Sequence, residues 1–299
     1  MTRVLSGAVL LIIAVAVVWF APLPLFLIVA EVLVVLACHE YAGLARASGL
    51  TVPLVFSTLA AVFACAAFSR MVVSGRTPVS IDVVLLASLL AIGTMALSTW
   101  RGGSGAIASV SAALLPALYL GLPLGSMVAI RETWGREALF LVMITIVISD
   151  SAQYYSGRAF GKRPLAPAIS PKKTIEGAVG GFVFGALALA GIGIWWLPTV
   201  PLAVRALLGV AVVALGIVGD LFESMLKRSA GVKDSSTLIP GHGGILDRID
   251  ALLFAAPIYY IVLKYVCPQN SQHSQKPTNR FVVGGFRVFC GERVEDSGS

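Results

Sequence analysis

One stretch of the sequence decides the class of fold: Ser224-Met-Leu-Lys-Arg-Ser-Ala-Gly-Val-Lys-Asp-Ser-Ser-Thr-Leu-Ile-Pro-Gly-His-Gly-Gly-Ile-Leu-Asp-Arg-Ile-Asp250. It lies between two apolar runs, Leu202–Val218 and Ala251–Val266. Charge costs about 2.5–3.5 kcal/mol per residue at mid-bilayer on insertion scales. A charged segment between two membrane spans therefore predicts a functional site. Its mixture of cations, carboxylates and glycines suits phosphate and metal binding.

The composition predicts an all-α, polytopic integral membrane protein with about nine transmembrane helices. The 299 residues are 58% hydrophobic and 12% charged, against about 25% charged in soluble domains. A β-barrel would show weakly alternating segments instead of long apolar runs. A spanning helix needs about 20 apolar residues. The candidate spans are Val4–Phe20, Pro22–Cys38, Val52–Phe68, Val83–Ser98, Ala106–Ile130, Ala138–Ser149, Ile175–Trp196, Leu202–Val218 and Ala251–Val266.

Three regions are expected along the chain. Residues 1–150 hold the N-terminal transmembrane helices. Residues 151–267 form a C-terminal membrane region with cytoplasmic loops, where the candidate catalytic residues lie. Residues 268–299 are polar and read as a disordered tail to which no chemistry is assigned.

Lysines and arginines set the expected orientation. The loop 151–174 carries Arg158, Lys162, Arg163, Lys172 and Lys173, which places it in the cytoplasm by the positive-inside rule. With nine spans, the 219–250 segment lies on the same side, so one polar site at the cytoplasmic face of the cell membrane can use both segments. The net charge of +7 fits this bias and contact with anionic lipids, whereas nothing indicates nucleic-acid binding.

Four carboxylates near the ends of membrane segments are candidates for a metal site. If their segments are helical, Asp220 and Glu223 share one helix face, and so do Asp247 and Asp250. Carboxylates brought together repel one another, and Mg²⁺ takes oxygen ligands while keeping positions for a substrate phosphate. The alternative is that Asp247 with Arg248, and neighbouring pairs, form ion pairs that staple the loop.

Two further segments suit anion binding. Pro240–Gly244 is a glycine-rich turn whose amides could face one anion, and its His242 could touch a phosphate or serve as a structural hydrogen-bonding group. In Ser170–Gly177, Thr174 is a candidate helix cap, which would place Lys172 and Lys173 beside a helix N-terminus.

The apolar run Ile175–Trp196 carries Gly177, Gly181 and Gly185 at four-residue spacing. This spacing lets a neighbouring helix approach closely. Packing within the chain is the favoured interpretation, and a homodimer through this face is left open.

The run from Ser224 to Asp250 resembles the signature of one family, the phosphatidate cytidylyltransferases (CDP-diacylglycerol synthases). That signature has a Ser, then Lys-Arg, Lys-Asp and His-Gly-Gly, and finally Asp-Arg with a closing Asp. Every element is present: Ser224, Lys227-Arg228, Lys233-Asp234, His242-Gly243-Gly244, Asp247-Arg248 and Asp250. The resemblance covers Asp150–Asp250 by motif and the chain to Val266 by span layout. The N-terminal half matches only as apolar spans, with Glu40 as a candidate for one further match.

The resemblance implies an activity and roles for residues. The activity is transfer of the cytidylyl group from CTP to phosphatidate with release of pyrophosphate, in phospholipid biosynthesis. Mg²⁺ would be held by Asp220 and Asp247, with Asp150 and Asp250 in reserve, and a second, monovalent cation is left open. The phosphates would be neutralised by Lys227, Arg228, Lys233 and Arg248, with substrate contacts from Lys172, Lys173, Ser224, His242, Gly243 and Gly244.

Two departures and two alternatives accompany this reading. Ser151 and Ala152 stand where the family has Thr and an aromatic residue, and the tail after Cys267 is unlike the family. A cation- or proton-coupled transporter would place charges near mid-bilayer and show an internal repeat. A lipid kinase such as a polyprenol kinase would share the site logic but release a nucleoside diphosphate.

Overall fold

The structure is a computed structural model that describes residues 2–69, 80–102, 104–239, 243–267, 282–283 and 286–287. Its helices are α1 (Thr2–Phe20), α2 (Leu23–Ala47), α3 (Leu54–Ala66), α4 (Ile81–Thr99), α5 (Ala106–Pro116), a π-helical turn (Ala117–Gly121), α6 (Leu122–Phe160), α7 (Ile175–Trp196), α8 (Leu202–Ser229) and α9 (Leu246–Val266). Two short antiparallel hairpins pair β1 (Pro164–Ala166) with β2 (Ser170–Thr174) and β3 (Val282–Val283) with β4 (Phe286–Arg287). Most of the predicted tail, 268–299, lies outside the described residues, so its disorder stays a prediction.

The helices confirm the predicted all-α membrane class. Among the described residues, six helical stretches are long and apolar enough to cross a membrane: Leu23–Ala47, Ile81–Thr99, Ala106–Phe160, Ile175–Trp196, Leu202–Ser229 and Leu246–Val266. Leu11–Phe20 and Leu54–Ala66 are apolar but shorter. Length and composition alone do not establish nine crossings, and that number stays a prediction.

The stretch from Ala106 to Phe160 reverses direction at Gly135. This residue has φ 87° and ψ 175°, a conformation that interrupts the helix and that glycine adopts without a Cβ penalty. Before it, Arg131 donates hydrogen bonds to the carbonyls of Val18 and Ala21 at the α1–α2 turn. After it, the chain returns toward the C-terminal end of α8. This one helical stretch therefore contains two of the predicted spans, Ala106–Ile130 and Ala138–Ser149.

The glycine face of α7 packs inside the chain. A Cβ on Gly181 would lie 2.5 Å from Cγ of Gln153 in α6, and one on Gly185 would overlap Cγ2 of Val213 in α8. The predicted close helix approach is therefore made with α6 and α8. A second copy of the chain would have to use a different face, because this one is already covered.

Four helix ends meet at what is here called the polar end of the bundle. It joins the C-terminal ends of α6 and α8 to the N-terminal ends of α7 and α9, and the β1–β2 hairpin lies across it. Lys173 in β2 pairs with Asp220 in α8, and the Arg228 Nε donates to the carbonyl of Ile169, 3.3 Å away. The two polar segments that the sequence placed on one side are therefore in contact.

Candidate active site

A buried ion network lies where α8 meets the start of α9. Glu223 and Lys227 are one helical turn apart on α8, and the ammonium of Lys227 contacts Glu223 and lies 2.6 Å from Oδ1 of Asp247. The Glu223 side chain is 0% exposed and that of Lys227 is 10% exposed. Removing one member of a buried ion pair is costly, because the other charge is then left unpaired and out of water. The network fixes the relative position of α8 and α9.

Asp247 organises the loop that leads into α9. Its Oδ2 accepts hydrogen bonds from the Ser235 amide at 2.9 Å and the Gly244 amide at 2.8 Å. The Ser235 hydroxyl lies 2.8 Å from the same oxygen, and its one proton is shared between Asp247 and Glu40. With Lys227 on Oδ1, both oxygens have protein partners. The role of Asp247 as a metal ligand stays a prediction, and in this arrangement the carboxylate stabilises the loop.

The glycine-rich turn also packs against Asp247. Gly243 has φ 77°, and a Cβ there would lie 2.5 Å from Oδ2 of Asp247. The sequence predicted that amides of this turn face an anion, and the Gly244 amide does so, but the anion is the chain's own Asp247. His242 lies outside the described residues, so its role stays a prediction.

Glu40 of α2 is a site residue that the sequence reading left without a role. It is 4% exposed and accepts hydrogen bonds from the hydroxyls of Ser235 and Ser236 and from the amides of Ile245 and Leu246. A glutamate near the end of an apolar helix is the only signal that the sequence offers, since these partners are about 200 residues away along the chain.

A second group of acids, here called the outer carboxylates, comprises Asp150 of α6, Asp220 of α8 and Asp250 of α9. They are close enough to repel one another electrostatically. Lys173 of β2 pairs with Asp220, and the Ser224 hydroxyl lies 3.4 Å from Oδ1 of the same residue. Three helices and a hairpin therefore converge on one acidic patch. Within it, Lys173 pairs with Asp220.

The outer carboxylates fit Mg²⁺ by their chemistry. Among the described residues, no three His, Cys, Asp or Glu side chains are close enough together to hold a metal by themselves. Mg²⁺ commonly binds through one or two carboxylates and completes its shell with water and substrate phosphate. Two of the three acids with a phosphate would satisfy this requirement, whereas a closed site made only by the protein would not form here.

The remaining basic residues that the sequence predicted for the site are exposed at the protein surface. Lys172, Lys233 and Arg248 are exposed. Arg228 is also exposed and ties the hairpin to the loop after α8 through the carbonyls of Ile169 and Val232. Thr174 caps α7 as predicted, because its hydroxyl accepts a hydrogen bond from the Gly177 amide at 3.1 Å.

An apolar groove of about 370 Å³ lies beside the acids, between the π-helical turn, α6, α8 and α9. Tyr119 of the π-helical turn lines it and packs against Phe222 and Phe254, with ring centroids 5.1 and 6.2 Å away. The buried Tyr119 hydroxyl makes no hydrogen bond to any described residue, although it lies within electrostatic range of Glu223 and Asp250. The groove thus carries an unused polar group at its end nearest the acids.

Comparisons with known proteins show the family to which the chain is related. A model of the Cytidylyltransferase family matches residues 1–266. The chain is 52% identical over 130 residues to a protein named phosphatidate cytidylyltransferase from Haemophilus influenzae, covering 42% of this chain and 45% of the relative. Proteins of the same name from Aquifex aeolicus and Bacillus subtilis are 41% and 42% identical over 150 and 153 residues, covering 50% of this chain and 53% and 56% of theirs.

The family model and the pairwise alignments cover different lengths of the chain. The chain spans about half the length of the curated relatives it matches, whereas the family model extends through α9 and includes every residue of the buried network and every outer carboxylate. The chain belongs to the cytidylyltransferase family.

Proposed function

We propose that this protein transfers the cytidylyl group of CTP to phosphatidate, giving CDP-diacylglycerol and pyrophosphate. The observation that carries the proposal is that α8 and α9 bear outer carboxylates, with Lys173 paired to Asp220, and also line an apolar groove whose Tyr119 is within electrostatic range of Asp250. A site for a phosphate that is attached to acyl chains needs both parts. The names of the relatives point to the same substrates.

The reaction needs positioning more than acid–base chemistry. A phosphate oxygen of phosphatidate attacks the α-phosphorus of CTP, a new phosphorus–oxygen bond forms, and the bond to the pyrophosphate oxygen breaks. The attacking oxygen is already ionised, so no proton has to be removed from it. Catalysis then depends on holding attacker and leaving group in line and on neutralising their charge.

The outer carboxylates are the residues that would hold Mg²⁺, with Asp247 retained as the other predicted ligand. When bound, the ion supplies positive charge to the phosphates of both substrates. The acids alone would repel the triphosphate, which makes a cation at this position necessary for the proposal. A second, monovalent cation stays an open prediction.

The lysines and arginines divide into two roles. Lys173, and with it the exposed Lys172, Arg228, Lys233 and Arg248, can reach a triphosphate arriving from the aqueous side. Lys227 is held between Glu223 and Asp247, so it acts by keeping α8 and α9 in register. Tyr119 lines the groove, and its buried hydroxyl makes no hydrogen bond to any described residue, so it would reach the lipid phosphate only if the substrate enters the groove to that depth.

The proposal places the site at the cytoplasmic face of the cell membrane, where CTP is found. Lys162 and Arg163 beside the hairpin, and the basic residues after α8, support this orientation through the positive-inside rule. Membrane lipids are the surrounding solvent. A homodimer remains open, but through a face other than the glycines of α7.

The test is to mix the purified full-length protein in detergent with CTP, phosphatidate and Mg²⁺, and to measure both products. We expect CDP-diacylglycerol and pyrophosphate in equal amounts, only when both substrates and the metal are present. Asp220→Asn should lower the rate at least about 100-fold, because charge placement is the main catalytic term. Asp82→Asn, the same change at the exposed start of α4, is the matched control and should keep full activity.

The same assay separates the alternatives. A lipid kinase would release a nucleoside diphosphate and leave a phosphorylated lipid. A transporter would form neither product. Absence of pyrophosphate release from folded, lipid-supplemented protein would overturn the proposed function.

A further inference from the structure

We propose that Glu40, in the second helix, is a positioning residue that holds residues 235–236 and 245–246, and through them Asp247 and Lys227, in place for the reaction. This inference rests on the proposed function for its kinetic consequence. Its structural part concerns only how the N-terminal half of the chain is joined to the polar end.

The Glu40 carboxylate collects four donors from one loop. Oε1 accepts from the Ser236 hydroxyl at 2.7 Å and the Ile245 amide at 2.9 Å. Oε2 accepts from the Ser235 hydroxyl at 3.0 Å and the Leu246 amide at 2.8 Å. Hydrogen bonds to a charged acceptor are about twice as strong as neutral ones, so Glu40 adds a strong second anchor to the loop that Asp247 also holds.

Two of those donors are the amides of Ile245, the cap residue that precedes α9, and of Leu246, its first residue. Amides at a helix start have no partner within the helix, and no side chain of the α9 cap supplies one. Glu40 therefore caps a helix that lies about 200 residues away in the sequence. Its negative charge also suits the positive end of the helix dipole.

The space around Gly244 gives a second, independent observation. A Cβ on this buried residue would overlap the Ser235 hydroxyl and the Glu40 Oε2, and it would lie 2.5 Å from Oε1. The Glu40 carboxylate thus lies directly against the backbone of Gly244. The glycine of the signature provides room for an acid from another helix.

Few contacts separate Glu40 from Asp247 and Lys227. The Ser235 hydroxyl lies within hydrogen-bond distance of both Glu40 and Asp247, and Leu246 immediately precedes Asp247 in α9. Asp247 in turn holds Lys227. A shift of the loop by 1 Å would move these groups together, and a misplacement of that size can cost about 100-fold in rate.

The decisive variant is Glu40→Gln, which keeps the shape but presents an NH₂ group to backbone donors. Glu31→Gln is the matched control, because Glu31 lies on the same helix and neighbours Cys65 in α3. We expect kcat for CDP-diacylglycerol formation to fall about 10- to 100-fold in Glu40→Gln, with KM for CTP within about threefold of wild type. Glu40→Asp keeps the charge and should recover part of kcat.

A measurement that does not depend on activity accompanies the kinetics. Hydrogen exchange of the Ile245 and Leu246 amides should become faster in Glu40→Gln and stay as in wild type in Glu31→Gln. If Glu40→Gln does not fold, Ser236→Ala removes one donor and should give a smaller loss in the same direction. Unchanged exchange at these amides, or a kcat equal to that of wild type per folded molecule, would overturn the proposal.

The two proposals fail in different ways. If wild-type protein forms no CDP-diacylglycerol, the proposed function is wrong, and the exchange data alone decide whether Glu40 holds the segment. If wild type is active and Glu40→Gln matches Glu31→Gln in both measurements, the positioning role is wrong while the function stands.

Discussion

Lys227 lies between two carboxylates from different helices, and this fixes what its loss should do. Lys227→Met leaves the fully buried Glu223 and the largely buried Asp247 without their cation. Breaking a buried pair from one side costs about 3–5 kcal/mol. Glu223→Gln leaves the Lys227–Asp247 pair intact and should cost less, about 1–3 kcal/mol. Thermal unfolding in detergent measures both, and a Glu223→Gln protein less stable than Lys227→Met would contradict the assignment.

In the proposed site, Lys173 would compete with Mg²⁺ for the outer carboxylates. Its ammonium pairs with Asp220, and unit charges about 4 Å apart interact by about 4 kcal/mol at an effective dielectric constant of 20. Lys173→Met should therefore strengthen Mg²⁺ binding by about tenfold while slowing turnover, since about 1.4 kcal/mol of lost repulsion suffices for that factor. Mg²⁺ titration of the unfolding temperature reports the affinity. Asp220→Asn should shift it the opposite way, and tighter binding in both variants would refute this account.

Single residues differ in how far the sequence reveals them. Thr174 was predictable as a cap from its local spacing. The predicted metal ligands were Asp220 and Asp247 with Asp150 and Asp250 in reserve, and the structure separates Asp247, which pairs with Lys227, from the other three. The partners of Glu40 were not predictable, since a hydrogen bond between Glu40 and Leu246 joins residues 206 positions apart. Nothing in a single sequence encodes such a pairing, or the hydrogen bonds that Asp247 accepts from the Ser235 and Gly244 amides.

At the scale of elements, the crossing of α8 and α9 depends on Gly219. A Cβ there would lie 2.5 Å from the carbonyl oxygen of Asp250 and 3.2 Å from the ring of Phe254. Both helices run through this contact, so it sets the separation of Asp220 from Asp250.

Gly219→Ala should push the two helices apart. We expect a loss of about 1–3 kcal/mol, as for overpacked cores, together with reduced activity. Gly191→Ala in α7 is the matched control, because a Cβ there meets nothing within 4 Å, and alanine is the better helix former. Detergent unfolding and turnover test both variants, and a neutral Gly219→Ala would mean that the helices tolerate a wider crossing.

Helix ends were the least predictable part of the elements. The predicted spans Leu202–Val218 and Ala138–Ser149 stop at the first acid, whereas α8 continues to Ser229 and α6 to Phe160. Hydropathy reports which residues suit a bilayer, but a helix can extend past the membrane and carry charged residues on its last turns. Asp150, Glu223 and Lys227 lie on those extra turns. These three residues are therefore on regular helix and not in loops.

For the whole molecule, the order of the helices brings distant segments to one end. Successive crossings return the chain to the polar end after α6 and again after α8, and the α2 helix delivers Glu40 to the same place. Counting apolar runs and basic residues was enough to predict that the 151–174 and 219–250 segments share one end, but it did not predict that α2 brings Glu40 there. Direction reversal at Gly135 was not predictable in detail, although the boundary between the fifth and sixth candidate spans fell close to it.

The shared end gives a prediction about sidedness that does not depend on catalysis. Lys162 precedes the β1–β2 hairpin and Lys233 follows α8, and both are exposed. Thr199, also exposed, joins α7 to α8 at the opposite end, where its hydroxyl lies 3.6 Å from the Cys267 sulfur. In a background without the four native cysteines, Lys162→Cys and Lys233→Cys should react with a membrane-impermeant maleimide in inside-out vesicles, and Thr199→Cys only in intact spheroplasts. If Lys162→Cys and Lys233→Cys are labelled from opposite sides of the membrane, the two segments cannot form one site and the prediction is wrong. Labelling of both from outside would keep the site but reverse its orientation, and the CTP-facing proposal would then fail.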